Sequence, residues 1–291
     1  MKRKTIAVLL HKDDAAFIYF KYLIKLLIKE WKTRGLAVEM IRGTDRFVPA
    51  DLIIPHLDLT CVPDEYREFL AQYPAVINGN VRDISKSTIS RNLVGKDHSY
   101  AGPVIVKTDL NSGGLPETRL VGQRHLLRAL TARLTRKGRS SMLFRRPNAV
   151  SWADVRQLYS GDYPVFSSLQ EVPPEIFDNK HLVIEKFLPE VTDGSYHVRY
   201  CTFLGDRDTS EMYQSRQPVV KASNSTHHQA VPTPHELHEI RKQLGLDYGK
   251  VDYVIRDGSV VLLDVNPTPG LPEHSLMAQH LADGIFSKLN C

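Results

Sequence analysis

The chain has 291 residues, of which 42% are hydrophobic and 24% are charged. This is the composition of an ordinary globular protein with a large core, and the length predicts one large unit or two to three small ones. The formal net charge of +5 fits nucleic acid, an anionic lipid surface or a phosphorylated ligand, and it is too modest to choose among them.

The cysteines exclude two common structural roles. Cys61, Cys201 and Cys291 are widely spaced, odd in number and form no Cys-x-x-Cys or Cys/His cluster. Neither a disulfide framework nor a zinc site is therefore predicted, and a reducing cytoplasm is the simplest expectation for the location. The start, MKRKTIAVLL, is similar to a signal peptide, but its apolar run is short and HKDD follows it. We interpret it as a first β-strand.

The first 80 residues alternate strand and helix patterns. They read strand TIAVLL, helix AAFIYFKYLIKLLIKEWKTRG, strands AVEMI and DLIIP, helix PDEYREFLAQY and strand AVIN. This alternation predicts an α/β domain with a mainly parallel sheet. The first helix has a lysine at every fourth position from Lys21 to Lys29, which makes one polar stripe and predicts an amphipathic packing helix, not a membrane span. No G-x-G-x-x-G follows the first strand, so a dinucleotide fingerprint is absent.

Two further units are predicted. The second begins near Asp83 with a helix containing SKSTISRNLV, then strand GPVIVKT, loop DLNSGGLPE and helix QRHLLRALTARLTRKG. Residues 138–163 lack periodicity and are interpreted as an ordered or mobile loop. Strand HLVIEKF leads into a third unit with strands YHVRYCTFLG and SEMYQSRQPVV, helix PHELHEIRKQLG, the hairpin YGKVDYVIRDGSVVLLDVN and a terminal helix.

The hairpin carries two carboxylates and an amide within otherwise apolar strands, namely Asp252, Asp264 and Asn266. A two-residue Asp-Gly turn without a bulge would turn Asp252 away from Asp264. A three-residue turn ending in Gly258 instead pairs Asp252 with Leu262 and puts the three polar side chains on one face. We therefore predict the three-residue turn.

Such a set of oxygen ligands is typical of a hard cation. Two neighbouring carboxylates repel each other unless a cation or a proton intervenes. Oxygen ligands at few positions favour Mg²⁺ completed by waters and phosphate oxygens. A solvated sheet face with Asp264 capping a turn fits the hairpin equally well.

Two other segments are candidates for a nucleotide site. In VIVKTDLNSGG, the strand residue Lys107 precedes the loop Ser112–Gly114, where glycines let backbone N–H groups approach a phosphate. The loop is not a Walker A motif, and a simple turn is the alternative. In LVIEKFLPE, Glu185 and Lys186 interrupt an apolar strand that stops at Pro189, where unpaired backbone could bind a flat base. An edge strand is the alternative.

The order of these motifs resembles the ATP-grasp superfamily. From about Lys86 to Gly270 the chain reads K…VIVK…NSGG…VIEKFLP…VRYCTFLG…KVDYVI…LLDVNPTPG, similar to carboxylate–amine ligases such as D-alanine:D-alanine ligase, glutathione synthetase and the ribosomal-protein glutamate ligases. The strongest element is VDYVI followed by LLDVNPTPG, which resembles the closing D…[DE]-x-N-x-x-P-G signature. The resemblance implies an α/β (α+β) ATP-grasp fold with an N-terminal α/β domain (1–80), a central subdomain with a lid loop (81–184) and a C-terminal subdomain with the metal site (185–291). ATP is expected between the last two.

The resemblance also implies a role for each matching residue in binding ATP and metal. Residues at the ATP phosphates and in the lid over them are Lys86, Lys107, Ser112, Gly113 and Gly114. Residues at the adenine-contacting linker are Glu185, Lys186 and Leu188, with Glu190 or Asp193 near the ribose. Ligands of one or two Mg²⁺ or Mn²⁺ ions are Asp252, Asp264 and Asn266.

Residues that act on the reacting groups are implied in the same way. Arg199 resembles the arginine that meets the acyl phosphate in the glutamate-ligase branch, and Lys250 stands where relatives often have arginine. Lys221 and Asn224 look like that branch's strand-end lysine and asparagine.

The departures from the family pattern concern the lid, the metal and the base. The lid is short, and Asp264 replaces the more usual glutamate, which leaves the number of metals open. His227 and His228 stand where the family has a glycine pair, and HVR replaces an acidic-x-Arg pattern, which leaves the role of His197 open. The three histidines are candidate general bases by residue type alone, with exposed surface histidines as the simpler interpretation.

The function that the resemblance implies is ATP- and Mg²⁺-dependent ligation of a carboxylate to an amine through an acyl phosphate. The expected substrates are a small-molecule or peptide carboxylate and an amine, with no nucleic acid or membrane partner. A kinase with a hydroxyl acceptor and a non-catalytic ATP-binding protein are the alternatives. A homodimer through the apolar first helix stays open.

Overall fold

The structure, a computed structural model, describes residues 3–120, 151–158, 162–270 and 275–289. The helix predicted from residue 123 and most of the loop predicted at 138–163 lie outside these ranges. The chain divides into two compact units, of which unit 1 is Met1–Asp83 with Pro189–Cys291 and unit 2 is Ile84–Leu188. The beginning and the end of the chain thus belong to one unit. The division into three subdomains stays a prediction.

The secondary structure of the described residues mixes helices and strands. The helices of at least one α-turn are α1 (Leu23–Thr33), α2 (Asp64–Leu70), α3 (Lys86–Ile89), α4 (Leu115–Leu120), α5 (Pro174–Phe177), α6 (His235–Gln243), α7 (Ser275–Ala282) and α8 (Phe286–Leu289). The strands are β1 (Thr5–Leu10), β2 (Ala37–Arg42), β3 (Leu52–His56), β4 (Val104–Thr108), β5 (Val165–Phe166), β6 (Leu182–Lys186), β7 (Glu190–Thr192), β8 (Ser195–Leu204), β9 (Arg207–Ser215), β10 (His227–Val231), β11 (Tyr248–Arg256) and β12 (Ser259–Asn266). Within these residues, no helix combines the length and apolarity that a membrane crossing needs.

The first sheet of unit 1 is parallel, with strand order β2-β1-β3, which confirms the α/β pattern predicted for this part of the chain. The predicted first helix is broken, because Tyr22 has an extended backbone and forms an isolated bridge to Gly270. Only α1 continues as an α-helix, and its Trp31 is fully buried and donates from Nε1 to the carbonyl of Ala282 in α7 at 3.0 Å. The predicted strand AVIN is reduced to a single bridge between Ile53 and Val76.

The second sheet of unit 1 is antiparallel and has six strands, with order β10-β9-β8-β11-β12 and β7 paired to β8. It contains the acidic hairpin, β11 and β12. Along β11, Val251 and Tyr253 are fully buried, whereas Lys250 and Asp252 are half-buried. Because successive side chains point to opposite faces, β11 has one apolar face and one polar face.

Asn78 fastens the start of β11 to the N-terminal part of unit 1. Its Oδ1 accepts from the N–H groups of Asp247 (2.7 Å) and Tyr248 (2.9 Å), and its Nδ2 donates to the Tyr248 carbonyl at 2.7 Å. Its own N–H donates to the Asp247 carboxylate at 3.0 Å. The side chain is buried, so these bonds are shielded from water and hold the two parts of unit 1 together.

Unit 2 contains an antiparallel sheet with order β5-β4-β6. Its core includes Val104 and Val106 of β4, Ile184 of β6 and the buried Trp152. The helix predicted around SKSTISRNLV ends at Ile89, because the next residue has an extended backbone.

Candidate functional site

The turn of the acidic hairpin has two residues. Arg256 pairs with Ser259, and the two residues between them, Asp257 and Gly258, have φ angles of 51° and 80°. This is the left-handed pair that the favoured two-residue hairpin turn requires, and Asp and Gly both tolerate it. The predicted three-residue turn is therefore wrong.

A β-bulge in β12 nevertheless brings the carboxylates together. Tyr253 pairs with Leu262, but Asp252 pairs with Asp264, so Leu263 is an extra residue in β12. One extra residue shifts the side-chain alternation by one position. Asp252 and Asp264 lie directly opposite each other on one face, about 4.5–5.5 Å apart at Cβ for such a pair. The predicted common face of Asp252 and Asp264 is confirmed. It results from the bulge in β12 and not from the length of the turn.

Lys250 places a positive charge beside this carboxylate pair. It pairs with Asn266 across the hairpin, and its Nζ lies 2.8 Å from Asp252 Oδ1. The same ammonium lies 4.2 Å from the centre of the Tyr200 ring, which faces Asp252 from β8. Burial, and secondarily the charge of Asp252, raises the pKa of the Tyr200 phenol. The Tyr200 side chain is therefore neutral and lies beside the charged groups of Lys250 and Asp252.

The donor set of this face fits Mg²⁺ better than a transition metal. It offers the Asp252 and Asp264 carboxylates and the Asn266 amide oxygen, all in the half-buried range. Within the described residues, no group of three or more His, Cys, Asp or Glu side chains could hold a metal, so a protein-only site of the zinc type is not formed there. Mg²⁺ is typically held by one or two carboxylates and completed by waters and substrate phosphates.

Thr268 and Asp58 border the same face and were missed by the sequence analysis. Asn266 Oδ1 accepts from Thr268 N at 2.9 Å. Thr268 Oγ1 lies 2.8 Å from Asp58 Oδ1 and 3.2 Å from Asn266 Oδ1. The Tyr22 hydroxyl donates to Asp58 Oδ2 at 2.9 Å. Thr268 lies within the NPTPG motif, but no spacing rule links it to Asp58, since the two are far apart in sequence.

Arg199 and Glu190 bind each other and not the acidic face. Arg199 pairs with Tyr253, so it points to the face opposite that of Asp252. Its guanidinium bonds both Glu190 oxygens, with Nη2 to Oε1 at 2.6 Å and Nε to Oε2 at 3.0 Å, and the N–H of Ile255 donates to Oε2 at 2.8 Å. Burial alone would raise the pKa of Glu190, but the bonds from Arg199 and Ile255 outweigh it and the pKa is lowered. The structure does not bring Arg199 together with the carboxylate pair.

Asn224 and Asp193 have evident local roles in the backbone. The Asn224 side chain accepts from Lys221 N at 2.8 Å and donates to the Val219 carbonyl at 3.0 Å, so it holds its own loop. Asp193 has φ of 50° and, with Gly194, forms the two-residue turn between β7 and β8. Their predicted roles toward substrate or ribose stay predictions.

The three candidate histidines have different environments. His227 and His228 are exposed on β10, a strand at the end of the sheet order, and the His228 ring stacks on Tyr213 with centroids 5.2 Å apart. These two match the simpler interpretation as surface histidines. His197 is buried, and neither ring nitrogen has a hydrogen-bond partner among the described residues.

In unit 2, Lys107 and Glu185 form a buried ion pair. Ile105 faces Glu185 across β4 and β6, so Lys107, two residues further on, points to the same side. Its Nζ lies 2.5 Å from Glu185 Oε2, and the two side chains are only 8% and 4% exposed. The second oxygen, Oε1, is buried without a hydrogen-bond partner in the part of the chain that is described. The strand-borne lysine and the linker glutamate of the sequence analysis are thus adjacent.

The other predicted nucleotide residues of unit 2 are described by their own contacts and burial. Lys86 is buried at the start of α3, where its N–H donates to the Asp109 carbonyl at 3.1 Å. The Lys186 ammonium lies 5.3 Å from the centre of the Tyr100 ring. Leu188, beyond the end of β6, is half-buried.

The NSGG loop has an unusual backbone. Ser112, Gly113 and Gly114 have φ angles of 49°, 70° and 73°, the left-handed region that favours glycine. A Cβ added to Gly113 would lie 2.9 Å from the carbonyl oxygen of Leu158. The loop therefore needs glycine at position 113 for its close packing, whatever its role toward phosphate.

Comparisons with known proteins gave only structural similarities. No protein-family model and no curated protein matched the chain. Among solved structures, a D-alanine–D-alanine ligase from Bacillus anthracis has 15% identity and a TM-score of 0.47, covering 99% of this chain and 95% of the ligase. A RimK domain ATP-grasp protein from Sphaerobacter thermophilus has 13% identity and a TM-score of 0.48, covering 96% and 99%. The macrocyclase MdnC from Microcystis aeruginosa, solved with its precursor peptide MdnA, has 12% identity and a TM-score of 0.48, covering 99% and 100%.

At these identities and TM-scores the similarity concerns the course of the chain. It assigns no substrate and no activity.

Proposed function

We propose that this protein is an ATP- and Mg²⁺-dependent ligase that joins a carboxylate to an amine through an acyl phosphate. The observation that carries the proposal is the bulged hairpin, which sets Asp252 directly opposite Asp264 with the Lys250 ammonium 2.8 Å from Asp252. Two facing carboxylates are unfavourable unless a cation neutralises them. Lys250 supplies only one positive charge, so the arrangement suits Mg²⁺ that also binds nucleotide phosphates.

Unit 2 supports the nucleotide part of the proposal. Lys86 and Lys107 are buried lysines, and buried lysines are rare unless an anion pairs with them. Glu185 neutralises Lys107 in this structure. We infer that Lys86 and Lys107 contact ATP phosphates, while Glu185, Lys186 and Leu188 border the base.

The proposed reaction has two steps. A carboxylate oxygen of the first substrate attacks the γ-phosphorus of ATP, the bond to the bridging oxygen breaks, and ADP leaves. The amine nitrogen then attacks the acyl carbon, inorganic phosphate leaves, and the nitrogen loses a proton. Charge on the transferred phosphoryl group is balanced by cationic side chains such as Lys250 and by the metal when it is bound. Such positioning and neutralisation need no side-chain nucleophile.

The test is a screen for ADP release with amino acids, peptides and amines, alone and in pairs. A ligase releases ADP when a carboxylate and an amine are both present, whereas a stable phosphorylated product would mark a kinase and would refute the proposal. In the Asp264→Asn variant we expect the Mg²⁺ concentration for half-maximal activity to rise about tenfold or more, since even indirect partners of a metal change affinity by about 10- to 100-fold.

The matched control is Asp257→Asn. Asp257 is also a hairpin carboxylate, but its side chain is 88% exposed at the turn, and Asn followed by Gly suits the same turn. We expect this variant to behave like the parent protein. Equal Mg²⁺ dependence of both variants would contradict the metal assignment.

A further inference from the structure

The amide oxygen of Asn266 lies near a hydroxyl that has a second acceptor. Thr268 Oγ1 is 3.2 Å from Asn266 Oδ1 but 2.8 Å from Asp58 Oδ1. A threonine hydroxyl has a single proton, so it donates one full hydrogen bond. The bond to the carboxylate is the shorter one and is charge-assisted, and such bonds are roughly twice as strong as neutral ones. The Thr268 proton is therefore directed at Asp58.

This direction determines what Asn266 can offer to a cation. An amide oxygen has two lone pairs, and the Thr268 N–H occupies one of them at 2.9 Å. If the hydroxyl proton also pointed at this oxygen, the second lone pair would be used and a positive hydrogen would face an incoming metal. With the proton held by Asp58, the second lone pair remains available to a cation.

Asp58 is itself fixed on both sides. Its Oδ2 accepts from the Tyr22 hydroxyl at 2.9 Å, and its backbone has φ of 48°. Tyr22 and Thr268 are 7% and 3% exposed, so both bonds of the carboxylate are made in a largely dry environment, where they are strong. The three side chains come from distant parts of the sequence but from one compact unit.

We propose that Asp58 is a positioning residue for the metal site: through Thr268 it keeps a lone pair of Asn266 available for Mg²⁺. This inference rests on the metal site of the proposed function. It predicts that metal affinity depends on a carboxylate that does not itself face the metal.

The most informative change is Asp58→Asn, which keeps the shape of the side chain. The new amide oxygen can still accept from Tyr22, but the NH₂ group then faces Thr268 and donates to its hydroxyl oxygen. The Thr268 proton must turn toward Asn266 Oδ1. We expect the dissociation constant for the metal to rise about tenfold, the lower end of what partners of metal ligands contribute.

The measurement is Mn²⁺ binding to the full chain, followed by the electron paramagnetic resonance signal of the unbound ion, with a non-hydrolysable ATP analogue present. This readout does not depend on turnover. Thr268→Val removes the hydroxyl together with the proton that competes for the lone pair, so it should bind like the parent, and Thr268→Ser, which keeps the bond to Asp58, should do the same. The double variant Asp58→Asn/Thr268→Val should recover parent binding, because no hydroxyl proton is left to turn toward Asn266. Tyr22→Phe should bind like the parent, because the bond between Asp58 and Thr268 remains.

The outcomes separate this inference from the proposed function. Unchanged Mn²⁺ binding in Asp264→Asn would overturn the metal site and the inference with it. Weakened binding in Asp264→Asn together with parent-like binding in Asp58→Asn, or a loss in Asp58→Asn that adding Thr268→Val does not reverse, would overturn the role of Asp58 alone. Equal losses in Tyr22→Phe and Asp58→Asn would also overturn it, since they would indicate a general packing role. If Asp58→Asn does not fold, Asp58→Gly decides: glycine suits the φ of 48° at this position, and parent-like Mn²⁺ binding in this variant, which lacks the acceptor, would overturn the role of Asp58.

Discussion

Replacing Lys107 by Met should destabilise unit 2 strongly, even without nucleotide. The change removes the ammonium 2.5 Å from Glu185 and leaves a carboxylate that is only 4% exposed. Removing one partner of a buried ion pair costs about 3–5 kcal/mol, because the remaining charge is buried without compensation. The double variant Lys107→Met/Glu185→Gln should recover most of this loss, since replacing a whole buried pair by neutral groups is often close to neutral.

Tryptophan fluorescence can measure this in unit 2 alone. The chain has two tryptophans, Trp31 in unit 1 and the buried Trp152 in unit 2. Urea unfolding followed by Trp152 in a Trp31→Phe background gives the free energy of unfolding for the parent, both single variants and the double variant. A coupling energy of about 3 kcal/mol is expected, and a value below about 0.5 kcal/mol, the range of independent sites, would refute the buried ion pair. The cycle also separates a loss of nucleotide affinity in Lys107→Met from a loss of fold.

Two further predictions concern unit 1. Asn78→Ala should lower the free energy of unfolding of unit 1 by about 3 kcal/mol or more, because it leaves the buried N–H groups of Asp247 and Tyr248 without acceptors at about 1–3 kcal/mol each. The control is the exposed neighbour Asn80, whose replacement by alanine should change this free energy by less than about 0.5 kcal/mol in the same urea titration. For Glu190, the pKa is lowered in the folded protein, so its stabilising effect is complete above the unfolded value of about 4.3 and is lost as the pH falls through the lowered value. Glu190→Gln should therefore reduce the acid sensitivity of unfolding below about pH 4.3, and an unchanged pH profile would contradict the pairing with Arg199.

Local patterns in the sequence were sufficient where neighbours in the chain determine the structure. The Asp257-Gly258 pair predicted a hairpin turn, and the alternation around Asp252 and Asp264 predicted a polar face. The predicted length of the turn was wrong because a bulge depends on how the two strands meet, and the extra residue Leu263 is as apolar as the residues that precede it in β12. Residues 262 and 263 are both leucine, so the residue type does not show which of them is the bulged one.

Contacts across long stretches of sequence could not be predicted. The hydrogen bond from Thr268 to Asp58 joins residues 210 positions apart, and no periodicity connects them. For Arg199 a motif assigned a role at the reacting group, and strand alternation places its side chain on the face opposite Asp252, so the role stays a prediction. A motif gives the residue type, but only the register of β8 against β11 gives the direction of its side chain.

The bulge lets β12 carry one residue more than its pairing with β11 requires. Leu263 packs with Val198, Tyr213 and Val220 on the face of the carboxylates, and another apolar side chain could replace it at modest cost. Deleting it would remove the bulge but leave Asp264 directly after Leu262, still opposite Asp252. Retaining all residues without the bulge would instead pair Asp252 with Leu263 and turn Asp264 to the other face. Redesign of this hairpin can therefore remove residue 263 or keep it bulged, but a flat strand of the present length would replace a metal-binding surface by a hydrophobic one.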